Sequence, residues 1–399
     1  MRRFFVAVLL SIAACQSAFC LELESGAQTK SFSVTRGGLL EVSVSGGDVV
    51  LSPWEKNEVF VKADGIDRDE ISYLRMSQTG NTVRVEFRPR RNRSDRLRWE
   101  INLPSQFNTD IRTGGGNIEI RGSMSGSLTG STSGGDIRVG DVNGKMDMRT
   151  SGGNMSAGKI HGDALMKTSG GDIAIDSAGG QVEISTSGGN IAVGNVGKTL
   201  RAHTSGGNIA IGDVGGEADV STSGGNVAVG KVSGNASLRT SGGNVSLRGG
   251  AGTITAHTSG GDIGLENISG VVDAKTSGGN IGLRNVSGSV NAKTAGGNIE
   301  AELIPSGKGP STLVSAGGEI RLYLPDNARV TVEALIRIEG RWSSRSEKYD
   351  IHSDFKLDTH AKDDRGVVRA VINLNGGGEK ISLETVNSNI EIRRLGSRR

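Results

Sequence analysis

The stretch TSGGNIAIGDVGGEADVS, Thr204 to Ser221, decides the fold. Its apolar residues alternate. Ile209 and Ile211 read as one short strand, Val214 as a plug in a glycine-flanked turn, and Ala218 and Val220 as a second strand. A helix is excluded because glycine pairs would break it and β-branched residues fill the apolar slots. Gly206 and Gly207 are expected to turn one corner with positive φ, and Gly212 and Gly215 the other. Two strands and two turns make one coil.

The unit repeats without slipping. TSGG, once TAGG, begins at Thr132, Thr150, Thr168, Thr186, Thr204, Thr222, Thr240, Thr258, Thr276 and Thr294, always 18 residues apart. A nineteen-residue step back reaches TGGGNI at Thr113. After an insertion containing Pro305 and Pro310 the pattern returns as SAGGEI from Ser315, with weaker echoes in VSGGDV from Val44 and TVNSNI from Thr385. A single coil has about five or six small inward side chains, each contributing ~1.5 to 3 kcal/mol when buried. Ordering its backbone costs about 1 to 2 kcal/mol per residue, so a coil is stable only when stacked on others.

The expected fold is therefore all-β: one parallel β-solenoid of 18 residues per coil, with irregular capping coils at both ends. The preference for right-handed parallel crossovers favours a right-handed coil. A left-handed helix also completes a coil in 18 residues, but it needs an apolar residue every six, and one such slot here is Asn. The organisation reads as an export signal over 1–20, an N-terminal cap and irregular first coils over 21–112, the regular array over 113–302, and irregular C-terminal coils and cap over 303–399. No Phe, Tyr or Trp lies between Phe107 and Tyr323, whereas Trp54, Tyr73, Trp99, Trp342 and Tyr349 flank the array. Bulky residues and the charged stretch Arg88 to Arg98 suit caps that hide open strand edges.

Stacking places equivalent residues ~4.8 Å apart along the axis. The tetrad Thr is expected to point inward or into the corner. The residue that follows each tetrad forms a corner ladder: Asn117, Asp136, Asn154, Asp172, Asn190, Asn208, Asn226, Asn244, Asp262, Asn280 and Asn298. Asn tolerates left-handed backbone and can bond to the next amide in the stack, so the ladder reads as structural.

The GGNI or GGDI corner, the segment SFSVTRGGLLEVSVSGGDVVLSPW and the stretch LYLPDNARVTVEA together resemble the bacterial putative-adhesin family of unknown function. The resemblance covers nearly the whole chain after the signal. It implies an exported or membrane-tethered parallel β-helix and carries no catalytic residues to transfer. The chain departs from the family in the length and regularity of its middle.

Arg2 and Arg3 precede an apolar run from Phe4 to Ala14, too short to span a bilayer, as in an export signal. Two cleavage readings compete. Residues 12–15 form a lipobox that would make Cys15 a lipidated N-terminus; Ala18, Phe19 and Cys20 suit cleavage before Leu21, which would free the chain. Neither leaves a disulfide framework. With 63 Gly, 6 Pro and a formal charge of +3, the composition is turn-dense and nearly neutral. Removing the signal leaves 44 basic against 43 acidic residues, which is no nucleic-acid footprint.

Reactive groups do not converge. Asp136 and Asp172 stand two coils apart with Asn154 between them, about 9 to 10 Å by ladder spacing, unlike the paired carboxylates of a polysaccharide-cleaving β-helix. His203 and His257 share a repeat position three coils apart, and His161, His352 and His360 are isolated. The corner lacks the GxD step of calcium-binding solenoids. No outward Thr-x-Thr pair recurs to order ice, and the array has no aromatic platform for sugar stacking. No catalytic residue, metal or cofactor is expected. The reading is a non-catalytic exported rod, adhesive or structural, in the periplasm, at the outer membrane or beyond, that meets an envelope or extracellular protein or glycan and touches membrane only through a lipid anchor. One alternative is a tethered envelope-stress or signalling module presenting residues 323–399 to a partner; another is a polysaccharide-active enzyme.

Overall fold

The computed structural model describes residues 27–89, 96–339, 348–363 and 366–396. The export signal, both cleavage readings, Cys15, Trp342 and much of the Arg88 to Arg98 stretch lie outside the described residues. Within them are 37 strands and one 3-10 turn, Ile71–Tyr73. Each coil of the array gives one strand to each of two long parallel sheets that enclose a continuous core. In the unit from Thr204, the strands are Ile209–Ile211 and Ala218–Ser221. Val214 bridges Val196 and Val232 between them. Thr204, Ile209, Ile211, Val214, Ala218 and Val220 are all buried. The solenoid expectation holds, with six inward residues per coil.

The corner glycines serve a different purpose from the positive φ expected of them. No glycine of the tetrads from Thr132 to Thr294 adopts a left-handed φ, and neither does Gly212 or Gly215. The second glycine of each tetrad is required for a different reason: its backbone lies directly against the coil below. A Cβ on Gly207 would overlap the Gly189 carbonyl oxygen, and Gly225 and Gly243 meet the coils beneath them in the same way. The first glycine has more room, since a Cβ on Gly206 would lie 3.3 Å from the Gly188 oxygen. Among the described array residues, positive φ is confined to Gly122, Gly126, Asn267 and Asn285. Gly122 lies where the strand Ile118–Ser125 shifts register against Ile137–Asn143, so the nineteen-residue step is absorbed as a bulge.

Neither end follows chain order. The echo at Val44 belongs to a coil over 39–54 whose strand Leu39–Val44 pairs in parallel with Asn108–Thr113 on one side and Thr82–Phe87 on the other. Its strand Asp48–Trp54 lies likewise between Ile118–Ser125 and Arg98–Pro104. The first coil of the sequence is therefore inserted beneath a later one. The C-terminal end repeats the device. Glu379–Val386 lies between Ser311–Ser315 and Val330–Arg337, and Ile390–Arg394 between Ile320–Leu324 and Ile351–Ser353.

Antiparallel strands finish both ends. Among the described residues Leu74–Thr79 pairs only with Thr82–Phe87, and Thr359–Lys362 only with Val367–Leu374, so this sheet is open. At the N-terminal end Trp99 is fully buried, with its ring centroid 5.5 Å from that of Phe87 and its Nε1 donating to the Gly46 carbonyl at 3.0 Å. Aromatic volume fills the end of a core that small residues fill elsewhere. The insertion over 304–310 folds back along the rod: Lys308 Nζ donates to the Ser269 carbonyl at 2.6 Å, and the Gly307 amide to Glu379 Oε2 at 3.1 Å.

Candidate binding surface

The corner ladder is built from side chain to backbone. Asn208 Oδ1 accepts the Asn226 amide at 2.8 Å, while the Asn208 amide donates to Asn190 Oδ1 at 2.9 Å. The chain of bonds starts earlier than expected, at Asp48, whose Oδ1 accepts the Asn117 amide. It continues through Asn298 to the Glu319 amide. The expected amide to amide bonding of side chains is replaced by these side chain to backbone bonds, and the side-chain contacts within the ladder run from amide to carboxylate, Asn190 Nδ2 to Asp172 Oδ1 and Asn280 Nδ2 to Asp262 Oδ1, each at 3.3 Å. None of the ladder Asn residues has a left-handed φ. Asp136 and Asp172 are separated by Asn154, with the Asn154 amide donating to Asp136 and the Asp172 amide to Asn154. These carboxylates are engaged along the stack rather than aimed at a common point.

Two outward faces remain, and they differ. On the sheet that carries the first strand of each coil, Ala174, Ala192, Ala210 and Ala228 stand in register, followed by Ser246, Gly264 and Gly282. With so little side chain, the sheet surface sinks into an open groove of about 810 Å³, flanked by Asp176, Asn195, Asp213, Lys231 and Arg248.

The other sheet is charged. The last residue of every coil, from Arg112 through Arg149, Lys167, His203, Arg239, His257 and Lys275 to Lys293, is basic or serine, each in register with the next. Acids on the neighbouring outward slot offset part of this row: Arg149 meets Asp147, two residues earlier, at 2.9 Å, and Lys167 meets Glu183 of the next coil at 2.6 Å. Asp273 takes His257 Nε2 at 3.2 Å, Lys275 Nζ at 2.7 Å and Asn291 Nδ2 at 2.7 Å. Partial burial pushes its carboxyl up, but the hydrogen bonds from Lys275, His257 and Asn291 outweigh that and hold it below the ordinary carboxylate range.

His203 and His257 fall on this row, separated by Ser221 and Arg239. His203 Nδ1 lies 3.0 Å from Ser221 Oγ. His360 pairs with Asp350 at 2.9 Å in the C-terminal cap. Among the described residues no group of three or more His, Cys, Asp or Glu could hold a metal ion, and no described helix is long and apolar enough to cross a membrane. From sequence alone the last slot of the coil has no assigned role. Its signal, visible when the repeats are aligned, is that from Arg112 to Lys293 the slot is never acidic.

A family model, Toastrack DUF4097, matches residues 179–393. The segment LYLPDNARVTVEA falls inside this stretch, and SFSVTRGGLLEVSVSGGDVVLSPW lies outside it. No curated protein matches the chain. Among solved structures, a putative adhesin from Parabacteroides distasonis is 14% identical, with 65% of this chain and 97% of that one covered at a TM-score of 0.29. A putative adhesin from Parabacteroides merdae is 14% identical over 66% and 95%, with a TM-score of 0.27. A putative lipid binding protein from Parabacteroides distasonis is 14% identical over 75% and 93%, with a TM-score of 0.23. Overlaps this loose carry no argument about function. The family match takes in more than half of the sequence, and the protein belongs to the Toastrack DUF4097 family.

Proposed function

We propose that this protein is an exported, non-catalytic binding rod of the cell envelope, adhesin-like in the sense that it meets an extended partner along its axis. The observation that carries the reading is the pair of axial faces, each repeating one chemistry in register over many coils. A catalytic pocket needs different groups converging on one point. A solenoid of identical coils instead offers the same group at a constant rise, which suits a ligand that is itself long and repetitive. The ladder carboxylates support this reading because each is occupied by a neighbouring amide.

A signalling module that presents residues 323–399 as a separate element fits less well, since strands Glu379–Val386 and Ile390–Arg394 are inserted between other coils of the rod. The test is adhesion and envelope integrity in the source cell with the gene deleted, together with binding of the purified chain to envelope and extracellular protein and glycan fractions. Loss of adhesion and retention of at least one such ligand support the rod. No change on deletion and no ligand in any fraction would remove its basis.

A further inference from the structure

The charged face changes character along its length. In its earlier coils cations and acids are matched, Arg149 with Asp147 and Lys167 with Glu183. On the charged-face strands Ala236–Arg239, Ile254–His257, Val272–Lys275 and Val290–Thr294 the outward side chains include three permanent cations, Arg239, Lys275 and Lys293, and the imidazole of His257, against one carboxylate, Asp273; Glu266, Arg248 and Arg284 lie on the other sheet, and Asp262 at the corner accepts the Asn280 amide. Arg239 leans toward Asp219 of the coil behind, but at 3.8 Å and half exposed such a pair contributes little. Lys293 is exposed and enters no ion pair among the described residues. Parallel register sets these charges in a straight line at ~4.8 Å per coil. Neutral hydrogen-bonding side chains run beside them: the exposed Ser259 and Ser277 at the corner, and Ser237 and Thr255 on the strands.

From this arrangement we infer that residues 235–293 of the charged face bind a linear acidic polysaccharide, one bearing carboxylates on its sugars, laid along the solenoid axis. The inference rests on the reading of the chain as a binding rod and names its ligand class. Carboxylates meet the cation row in charge-assisted hydrogen bonds. Sugar hydroxyls meet the flanking Ser and Thr, and a polymer of constant repeat meets a row of constant rise. Nucleic acid fits the surface worse. Duplex DNA carries a charge every ~1.7 Å, denser than this row. Bases of a single strand would need aromatic platforms, and none lies between Phe107 and Tyr323.

The experiment titrates the full mature chain with polygalacturonate, with dextran as the uncharged polymer and with single-stranded DNA as the polyanion control. The expected result is binding of polygalacturonate that weakens with added salt, and none of dextran. The double variant Lys275→Gln, Lys293→Gln weakens binding about tenfold or more, while Lys159→Gln with Arg284→Gln, on the other face and outside its groove, leaves it unchanged. Lys293→Gln alone removes an unpaired surface charge, so the fold is kept and the loss is smaller but measurable. Equal binding by the double variant, single-stranded DNA held as tightly as polygalacturonate, or no binding of polygalacturonate would each overturn the inference. If polygalacturonate fails while another envelope fraction is retained, the acidic-glycan assignment falls and the binding rod stands; if every fraction fails, the rod reading falls with it.

Discussion

Thr204 Oγ1 donates to the carbonyl oxygen of Gly189, one coil below, at 2.9 Å, and accepts the amide of Gly207 at 3.4 Å. The same pair of bonds recurs along the array, for example at Thr222 and Thr276, so each tetrad Thr staples its own corner to its neighbour. Thr204 is fully buried. Thr204→Val keeps the shape and leaves two backbone groups without that partner, which should cost about 1–3 kcal/mol. Denaturant unfolding of the pair of proteins checks this; equal midpoints would mean that the staple contributes nothing.

Gly207→Ala and Gly115→Ala separate steric need from composition. A Cβ on Gly207 would overlap the backbone of Gly189, whereas one on Gly115 meets nothing within 4 Å. The first change should destabilise by roughly 1–3 kcal/mol or more through forced displacement of stacked coils, and the second should be close to neutral. Thermal melts rank them. Equal sensitivity at the two sites would contradict the stacking account.

Asp354 fastens the C-terminal coil in a pH-dependent way. Its Oδ2 accepts the Arg394 amide and its Oδ1 meets Arg393, each at 3.0 Å, and the backbone hydrogen bond above all holds this carboxyl below its usual range. A carboxylate with a lowered folded pKa stabilises fully above the unfolded value, about 3.9, and its contribution is lost as pH falls through the folded value. Asp354→Asn should therefore be less stable than wild type at neutral pH, with the gap closing below about pH 4. Protease cleavage within 379–396 as a function of pH reads the difference; a gap that widened on acidification would have the wrong sign.

Removing residues 379–396 should do more than trim an end. That segment separates Ser311–Ser315 from Val330–Arg337, so its loss strips partners from both and exposes their edges. Light scattering and size-exclusion chromatography of the truncated chain should show aggregation. A monomer with unchanged circular dichroism would show that the inserted coil is dispensable.

The fold was legible because stacking forces one coil to resemble the next: the alternation at Ile209, Ile211, Ala218 and Val220 and the constant step suffice to give two strands per coil. Less legible was the purpose of the glycines. Both a positive φ and a close backbone approach select glycine, and only the position of Gly189 beneath Gly207 distinguishes them. The order of the end coils was hidden for a related reason. The echoes at Val44 and Thr385 mark residues that stack like the array, but similarity does not say which coil lies beside which, and Val44 lies beside both Thr113 and Phe87. The surface was legible as rows, while the bias at Arg239, His257, Lys275 and Lys293 emerges only when one outward slot is followed through every coil.

Anchoring is tested at Cys15. The lipobox reading predicts detergent-phase partitioning of the protein from its native cell, abolished by Cys15→Ser. A free N-terminus at Leu21 in the aqueous phase would support the soluble alternative.

The central claim, that the rod binds an extended partner without transforming it, is met most directly by one measurement: binding and reducing-end release followed together when the purified mature chain is incubated with a panel of envelope and extracellular polysaccharides. The account predicts saturable retention of at least one acidic polymer with no increase in reducing ends. Reproducible depolymerisation would contradict it.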